Sequence, residues 1–220
     1  QRQMCIMDRF IRVIYKSVFI NGLYTLKILQ VYEVCKIMVE DDDIDIQNVV
    51  ASATFDQSLP LDRIAIYLEN TEYEPEQFPG LVYRLEEPKA AALLFGSGKI
   101  VCTGTQSPEQ AKEATHKIID ELKEADVEIT NKPEITVQNI VASSELDATL
   151  NLNRIAFELV GTEYEPEQFP GLVYRLDEPE VVFLLFSSGN LVCTGGRTYD
   201  DVENGISNLE RDLKEIDAMD

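Results

Sequence analysis

A fifteen-residue stretch rich in side chains that can do chemistry occurs twice without a single change, at Thr71–Leu85 and at Thr162–Leu176. Each copy carries three glutamates, then Phe-Pro-Gly, then a strand-like run that contains an arginine. Carboxylates can transfer protons or bind a basic partner, and a guanidinium can bind phosphate. The sequence shows no nucleophile with a base, no distinctive carboxylate pair and no phosphate-binding loop. It therefore indicates binding rather than catalysis, and we predict a protein that is not an enzyme and uses no cofactor.

The cysteines and the histidine do not form a pattern typical of a metal site. Cys5, Cys35, Cys102 and Cys193 include no CxxC pair, and the single histidine, His116, lies in a helical pattern. These spacings predict neither zinc ligands nor a disulfide framework. We expect reduced thiols and a cytoplasmic protein.

The net charge of −21 is unevenly distributed along the 220 residues. Residues 1–37 hold six Lys and Arg against two acidic residues, a charge of +4, which leaves −25 for the remainder. Taken alone, an acidic body of this kind favours high solubility or a basic partner and argues against nucleic acid.

The first 43 residues differ in character from the rest, and we predict that they are an extension outside the fold. Ser17–Val34 is apolar, but Lys27 and Glu33 interrupt it well short of the ~20 apolar residues that a membrane helix needs. It also lacks the small-residue cleavage pattern of a signal peptide. Met38 is interpreted as the natural start.

The chain contains an internal repeat with a period of 91 residues. Gln47–Ser52 returns as Gln138–Ser143, and Val101–Gly104 returns as Val192–Gly195. Because every offset is the same, the sequence predicts two copies of one domain, residues 44–134 and 135–220.

Hydrophobic periodicity predicts the order of elements within a copy. A strand is followed by a short helix, three strands and a long amphipathic helix, with Gly96-Ser97-Gly98 as a hairpin turn and Ser107 as the cap of the long helix. In the first copy the predicted elements are Asp45–Ala53, Leu59–Leu68, Gly80–Leu85, Ala90–Phe95, Lys99–Gly104 and Ser107–Ala125.

Both faces of the predicted sheet are largely apolar, although one long helix per copy can cover only one of them. The twelve side chains predicted for the uncovered face include no acidic one, and an exposed apolar face usually marks an interaction site. The pattern leaves open whether the two copies, or two molecules in a homodimer, bury these faces against each other. Its members are Asn48, Val50, Leu93, Phe95, Val101, Thr103, Asn139, Val141, Leu184, Phe186, Val192 and Thr194.

Three motifs occur at fixed spacing in the first copy: Gln-Asn-Val-Val-Ala-Ser, Phe-Pro-Gly-Leu-Val-Tyr-Arg-Leu and Val-Cys-Thr-Gly. With their repeats, they resemble the TATA-box-binding proteins in their archaeal form, over about residues 44–216. The resemblance implies an α+β fold: a pseudo-symmetric saddle of two direct repeats, with a curved antiparallel ten-stranded sheet and two long helices plus short helices on its convex face. The concave face would bind the DNA minor groove.

The resemblance also implies roles for individual residues. The side chains that intercalate between base pairs would be Phe78, Phe95, Phe169 and Phe186. Those that contact bases in the minor groove would be Asn48, Val50, Leu93, Val101, Thr103, Asn139, Val141, Leu184, Val192 and Thr194. Those that contact phosphate would be Arg84, Lys89, Ser97, Lys99, Arg175 and Ser188. The second copy departs from this pattern, because Glu180 and Asn190 replace the lysines, so binding should depend more on apolar contact and DNA deformation.

The implied partners are the double-stranded TATA box, transcription factor B and, indirectly, RNA polymerase, with no membrane. Transcription factor B would dock at Glu163, Glu165, Glu167 and Gln168, and the protein would act as a monomer on DNA in the cytoplasm, associated with the nucleoid. A different class of function remains open on the residues alone: an acidic adaptor that dimerises through its apolar sheet. A pocket protein or hydrolase for an apolar ligand is a third.

Overall fold

The computed structural model of the protein describes residues 44–129, 131 and 133–220. The predictions made for the N-terminal extension, its start site, Cys5 and Cys35 lie outside these residues. The described chain divides into two units: Asn48–Gln138, and Asn139–Asp220 together with residues 44–47.

The first unit contains a five-stranded antiparallel sheet with the strand order β2-β3-β4-β5-β1. Helix α1 connects β1 to β2, and the long helix α2 follows β5. The elements are β1 (Asp45–Thr54), α1 (Leu61–Tyr67), β2 (Thr71–Glu72), β3 (Gly80–Leu85), β4 (Ala90–Phe95), β5 (Lys99–Thr105) and α2 (Pro108–Glu124).

The second unit repeats this order of elements, and its strands are ordered β6-β10-β9-β8-β7. Its elements are β6 (Thr136–Glu145), α3 (Leu152–Glu158), β7 (Thr162–Glu163), β8 (Leu172–Leu176), β9 (Val181–Leu185), β10 (Asn190–Thr194) and α4 (Tyr199–Glu215). The described part of the chain thus confirms the predicted fold class, which is α+β with two repeats and ten antiparallel strands in total. Each unit has one long helix. None of its helices combines the length and apolar character needed to cross a membrane.

Two details differ from the predicted elements. Hydrophobic periodicity misses β2 and β7, because a two-residue strand is too short to show any period. Helix α1 begins at Leu61 rather than at the predicted Leu59, and Pro60 is its N-cap residue.

In the first unit, helix α2 packs on the side of the sheet that strand alternation predicts. Ile118 and Leu122 of α2 share a core with Ala92, Leu94, Ile100 and others on the same face of β4 and β5. The helix begins where expected, because the Ser107 side chain accepts a hydrogen bond from the backbone N–H of Gln110 at 3.1 Å. The alternate residues of β4 and β5, including Leu93 and Val101, therefore lie on the face away from α2.

In the second unit, helix α4 makes the equivalent contact through a glycine. A Cβ added at Gly205 would lie 3.0 Å from Val181 and 3.3 Å from Phe183, so α4 lies directly over β9. The Tyr174 hydroxyl donates a hydrogen bond to Asp212 of α4 at 3.0 Å. Burial, together with this carboxylate, raises the pKa of Tyr174 to about 12.

The N-terminus of α4 provides a test of local stability. The Thr198 hydroxyl accepts from the N–H of Asp201 at 3.1 Å, and the Asp201 carboxylate accepts from the N–H of Thr198 at 2.9 Å. Together they form a reciprocal capping box. We expect Thr198→Ala to lower the free energy of unfolding by about 1 kcal/mol, measured by urea denaturation of the full chain. Thr198→Ser should retain most of the stability, and equal losses for both variants would contradict this role.

Candidate nucleic-acid interface

The sheet face away from the long helix carries a matched row of aliphatic side chains in each unit. In the first unit Leu93 of β4 lies opposite Val82 of β3 on one side and Val101 of β5 on the other. In the second unit Leu184 lies in the same way between Val173 and Val192. We call these two surfaces the open faces.

The side chains of the open faces are more buried than their lack of a helix predicts. Leu93 is 2% exposed and Leu184 is 1% exposed. In the second unit, some of the side chains that bury this face are identified: Phe169, Phe186 and Val192 pack against Leu184 and its neighbours. The sequence does not reveal this, because strand alternation assigns a side chain to a face but does not show what folds over it.

The four predicted intercalating phenylalanines form two edge-to-face pairs. The ring centroids of Phe78 and Phe95 are 5.9 Å apart, and those of Phe169 and Phe186 are 6.0 Å apart. All four rings are partly exposed. A Cβ added at Gly171 would lie 2.6 Å from the Phe169 ring, so the glycine of the repeated Phe-Pro-Gly allows the ring to lie over the start of β8.

The amide of Asn48 is held in one orientation by the backbone of β5. The backbone N–H of Gly104 donates to Asn48 Oδ1 at 2.7 Å, and the Thr103 hydroxyl lies 3.2 Å from the same oxygen. A β-bulge makes this contact possible: Val49 pairs with Thr105 and Ala51 with Cys102, which leaves one extra residue in β5. Gly104 has a φ of +93°, which favours glycine.

The second unit repeats this arrangement at Asn139. Its Oδ1 accepts from the backbone N–H of Gly195 at 2.7 Å, and its Nδ2 lies 3.1 Å from the Thr194 hydroxyl oxygen. Since a backbone N–H can only donate, the amide oxygen must face Gly195, and the NH₂ group takes the opposite side. Each unit thus fixes one amide, with its donor group turned away from Gly104 or Gly195.

The two predicted phosphate-binding arginines form ion pairs with glutamates of the repeated stretch. Arg84 Nη2 lies 3.5 Å from Glu72 Oε1, and Arg175 Nη2 lies 3.2 Å from Glu163 Oε1. Sequence reasoning missed both pairs, because they depend on the register of the two-residue strands β2 and β7.

The other predicted phosphate ligands lie in or beside the turns of the sheets. Lys89 is exposed just before β4, and Lys99 is partly exposed at the start of β5. Ser97 and Ser188 are exposed in the hairpins that precede β5 and β10, where Ser188 Oγ accepts from the Asn190 N–H at 3.4 Å.

The predicted partner-binding residues follow one another along the loop that leads to Phe169. Glu163 lies in β7, whereas Glu165, Glu167 and Gln168 are exposed in the turn after it. The Gln168 side chain donates to the Glu165 carboxylate, and the backbone N–H of Phe169 donates to the Glu165 carbonyl oxygen at 3.0 Å. This hydrogen-bonded turn therefore connects the acidic loop to the aromatic pair.

The buried thiols do not contribute reactive groups to either face. Cys102 and Cys193 are fully buried, and burial raises the pKa of Cys102 to about 11 and that of Cys193 to about 12. A protonated thiol is a poor nucleophile. Among the described residues, no group of three His, Cys, Asp or Glu side chains is arranged to hold a metal ion.

Comparisons with known proteins all point to one family. The model for "Transcription factor TFIID (or TATA-binding protein, TBP)" matches residues 43–125 and again residues 134–216. A TATA-box-binding protein of Methanosphaera stadtmanae is 53% identical over 178 residues, 81% of this chain and 97% of the relative. One of Methanothermobacter thermautotrophicus is 53% identical over 179 residues, 81% of this chain and 99% of the relative.

A solved structure gives the same result at the level of the fold. The chain is similar to Methanococcus jannaschii TBP with a TM-score of 0.72 and 51% sequence identity, over 79% of this chain and 99% of that one.

Proposed function

Because the chain belongs to the TATA-box-binding protein family, we propose that it binds the minor groove of the A·T-rich TATA box, kinks it with its paired phenylalanines and nucleates the transcription pre-initiation complex. Membership confirms the resemblance seen in the sequence, and this family consists of transcription factors rather than enzymes, as predicted. The observation that carries the proposal is the pair of fixed amides, Asn48 and Asn139, each within an aliphatic face.

The fixed amides suit the minor groove of A·T pairs. These pairs present only acceptors there, the N3 of adenine and the O2 of thymine, whereas G·C adds the N2 amino donor of guanine. An amide whose oxygen is occupied by Gly104 or Gly195 offers its NH₂ group to such acceptors. Contacts with a guanine amino group would place donor against donor, so the same geometry disfavours G·C.

The aromatic pairs supply the deformation of the duplex. Apolar side chains inserted between base steps unstack them, and TATA-box-binding proteins are themselves the standard example, with a kink of ~80°. Phe78 with Phe95 would act at one end of the site and Phe169 with Phe186 at the other. Their partial exposure leaves ring surface available to a base step.

The acidic charge of the protein fits this mode of binding. Phosphate contacts normally dominate DNA affinity, yet the second unit has Glu180 and Asn190 where the first has Lys89 and Lys99. Apolar contact and easy deformation of TA steps would therefore supply much of the specificity.

The repeats, residues 44–134 and 135–220, would act together on one duplex as a monomer, in a prokaryotic cytoplasm. The acidic loop Glu163–Gln168 would dock transcription factor B, which recruits RNA polymerase. Its glutamates are exposed and precede the aromatic pair in sequence. A protein on this loop would contact Glu165 and Glu167, which are not among the predicted DNA-binding residues, whereas Glu163 also pairs with the predicted phosphate ligand Arg175.

A gel-shift series tests the proposed function. The protein is titrated against a duplex with a TATA box and a matched duplex in which the box is replaced by G·C pairs, with and without transcription factor B. We expect the protein to shift only the TATA duplex, and transcription factor B to shift that complex further. Equal binding to both duplexes would contradict sequence-specific recognition. If neither duplex shifts and the free protein is a dimer, the acidic adaptor replaces this proposal.

A further inference from the structure

We propose that Glu72 and Glu163 act as gates on DNA binding: each holds a phosphate-binding arginine, Arg84 or Arg175, in an internal ion pair that must open before the arginine reaches a phosphate. The inference rests on the proposed function. It adds to that function two residues that set the affinity for DNA and its dependence on salt.

Strand register places both partners of each pair on the open face. Glu72 of β2 lies opposite Val82 of β3, and Arg84 follows Val82 by two residues. Side chains two positions apart on a strand share a face, and long side chains meet across the diagonal of an antiparallel pair. The other face of β3 carries Leu81 and Tyr83, which belong to the core under α2.

The second unit repeats this geometry. Glu163 lies opposite Val173, and Arg175 follows Val173 by two residues. The Arg175 side chain is 33% exposed against 54% for Arg84, and its pair is closer, 3.2 Å against 3.5 Å. The second gate should therefore have the larger effect.

The pairs are weak enough to exchange. Ion pairs between exposed side chains contribute little to stability because water screens them. A DNA phosphate that meets the guanidinium can replace the carboxylate as its partner. While the pair is closed, however, the arginine neutralises a glutamate rather than a phosphate, so its contribution to counterion release is lost.

A second set of ion pairs offers an internal comparison. Arg154 Nη1 contacts Asp217 Oδ2 at 3.2 Å, but Arg154 belongs to α3 and not to the strands of the open face. Asp217→Asn removes the same charge and frees an arginine of the same unit, without freeing one on the open face. It is therefore a matched control for Glu163→Gln.

The test is a salt titration of TATA-duplex affinity with the full chain. At low salt we expect Glu163→Gln to bind about two- to fivefold more tightly than the unmodified protein, and the slope of log K against log salt to steepen by about one. Glu72→Gln should change affinity in the same direction and by less. Asp217→Asn should leave the slope unchanged.

A double-variant cycle separates the gate from a general effect of charge. If the gate operates, Glu163→Gln should have no effect on affinity once Arg175→Ala is present. An equal gain in both backgrounds, or the same gain from Asp217→Asn, would overturn the inference. Failure of the proposed function gives a different result, since the unmodified protein would then show no preference for the TATA duplex at any salt concentration.

Discussion

Phe169→Ala is expected to weaken binding to a TATA duplex by about ten- to a hundredfold. The expected loss follows from the burial of one aromatic side chain between base pairs, worth about 1.5–3 kcal/mol. The ring is partly exposed and stands edge-to-face with Phe186, so truncation removes the wedge at one end of the site. The measurement is the dissociation constant by fluorescence anisotropy, together with the bend angle by energy transfer between the duplex ends.

Phe157→Ala is the matched control for this substitution. Phe157 lies in α3 and is 86% exposed, so the same side chain is removed away from the open face. We expect it to leave both affinity and bend angle unchanged. Because Phe169 also packs on Leu184, thermal unfolding of each variant establishes that the fold is intact. A folded Phe169→Ala protein that bends DNA normally would contradict the role of the ring as a wedge.

Asn139→Asp is expected to lower affinity for the TATA duplex by about tenfold to a hundredfold, on the scale of 1–3 kcal/mol for a specific base contact. One carboxylate oxygen can still accept from Gly195, as Oδ1 of the amide does at 2.7 Å. The other oxygen replaces the NH₂ group, so an acceptor with negative charge would face the acceptors of adenine and thymine. Affinity is measured against duplexes that differ at one central base pair.

The same experiment can also contradict the proposed role of the amide. An Asn139→Asp protein that binds the TATA duplex as tightly as the unmodified protein would contradict donation by the NH₂ group. Asn153→Asp, an exposed position in α3, adds the same charge away from the predicted interface and should have little effect. Replacing a central G·C pair by inosine·C, which lacks the N2 amino group, should restore binding of the unmodified protein.

Much of the fold follows from local pattern. The constant 91-residue offset defines two copies, and strand alternation identifies Ala92, Leu94, Ile100 and Cys102 as the side under the long helix. The Ser107 cap follows from a serine just before a proline and an apolar stripe. These features are local, so a single sequence is enough to predict them.

The remaining features depend on register between strands that are distant in sequence. The pairs Glu72–Arg84 and Glu163–Arg175 require the alignment of two-residue strands with β3 and β8. The bulge at Gly104 requires one extra residue in β5 relative to β1. Neither register leaves a periodic trace in the sequence. Recognition of the family suggested Asn48 and Asn139, whereas the orientation of their amides came from the structure.

Gly104 and Gly195 have a consequence for how the sequence of this protein can evolve. The direction in which the amides of Asn48 and Asn139 point is set by a main-chain N–H, that of Gly104 or Gly195, and no side-chain replacement elsewhere can remove that group. On the proposed function, substitutions at the aliphatic positions of the open faces would therefore alter how tightly a promoter is bound, while the chemical preference at the centre of the site is retained. The affinity would then be open to mutation at those positions, whereas the direction of the two amides is fixed by the backbone N–H groups of Gly104 and Gly195.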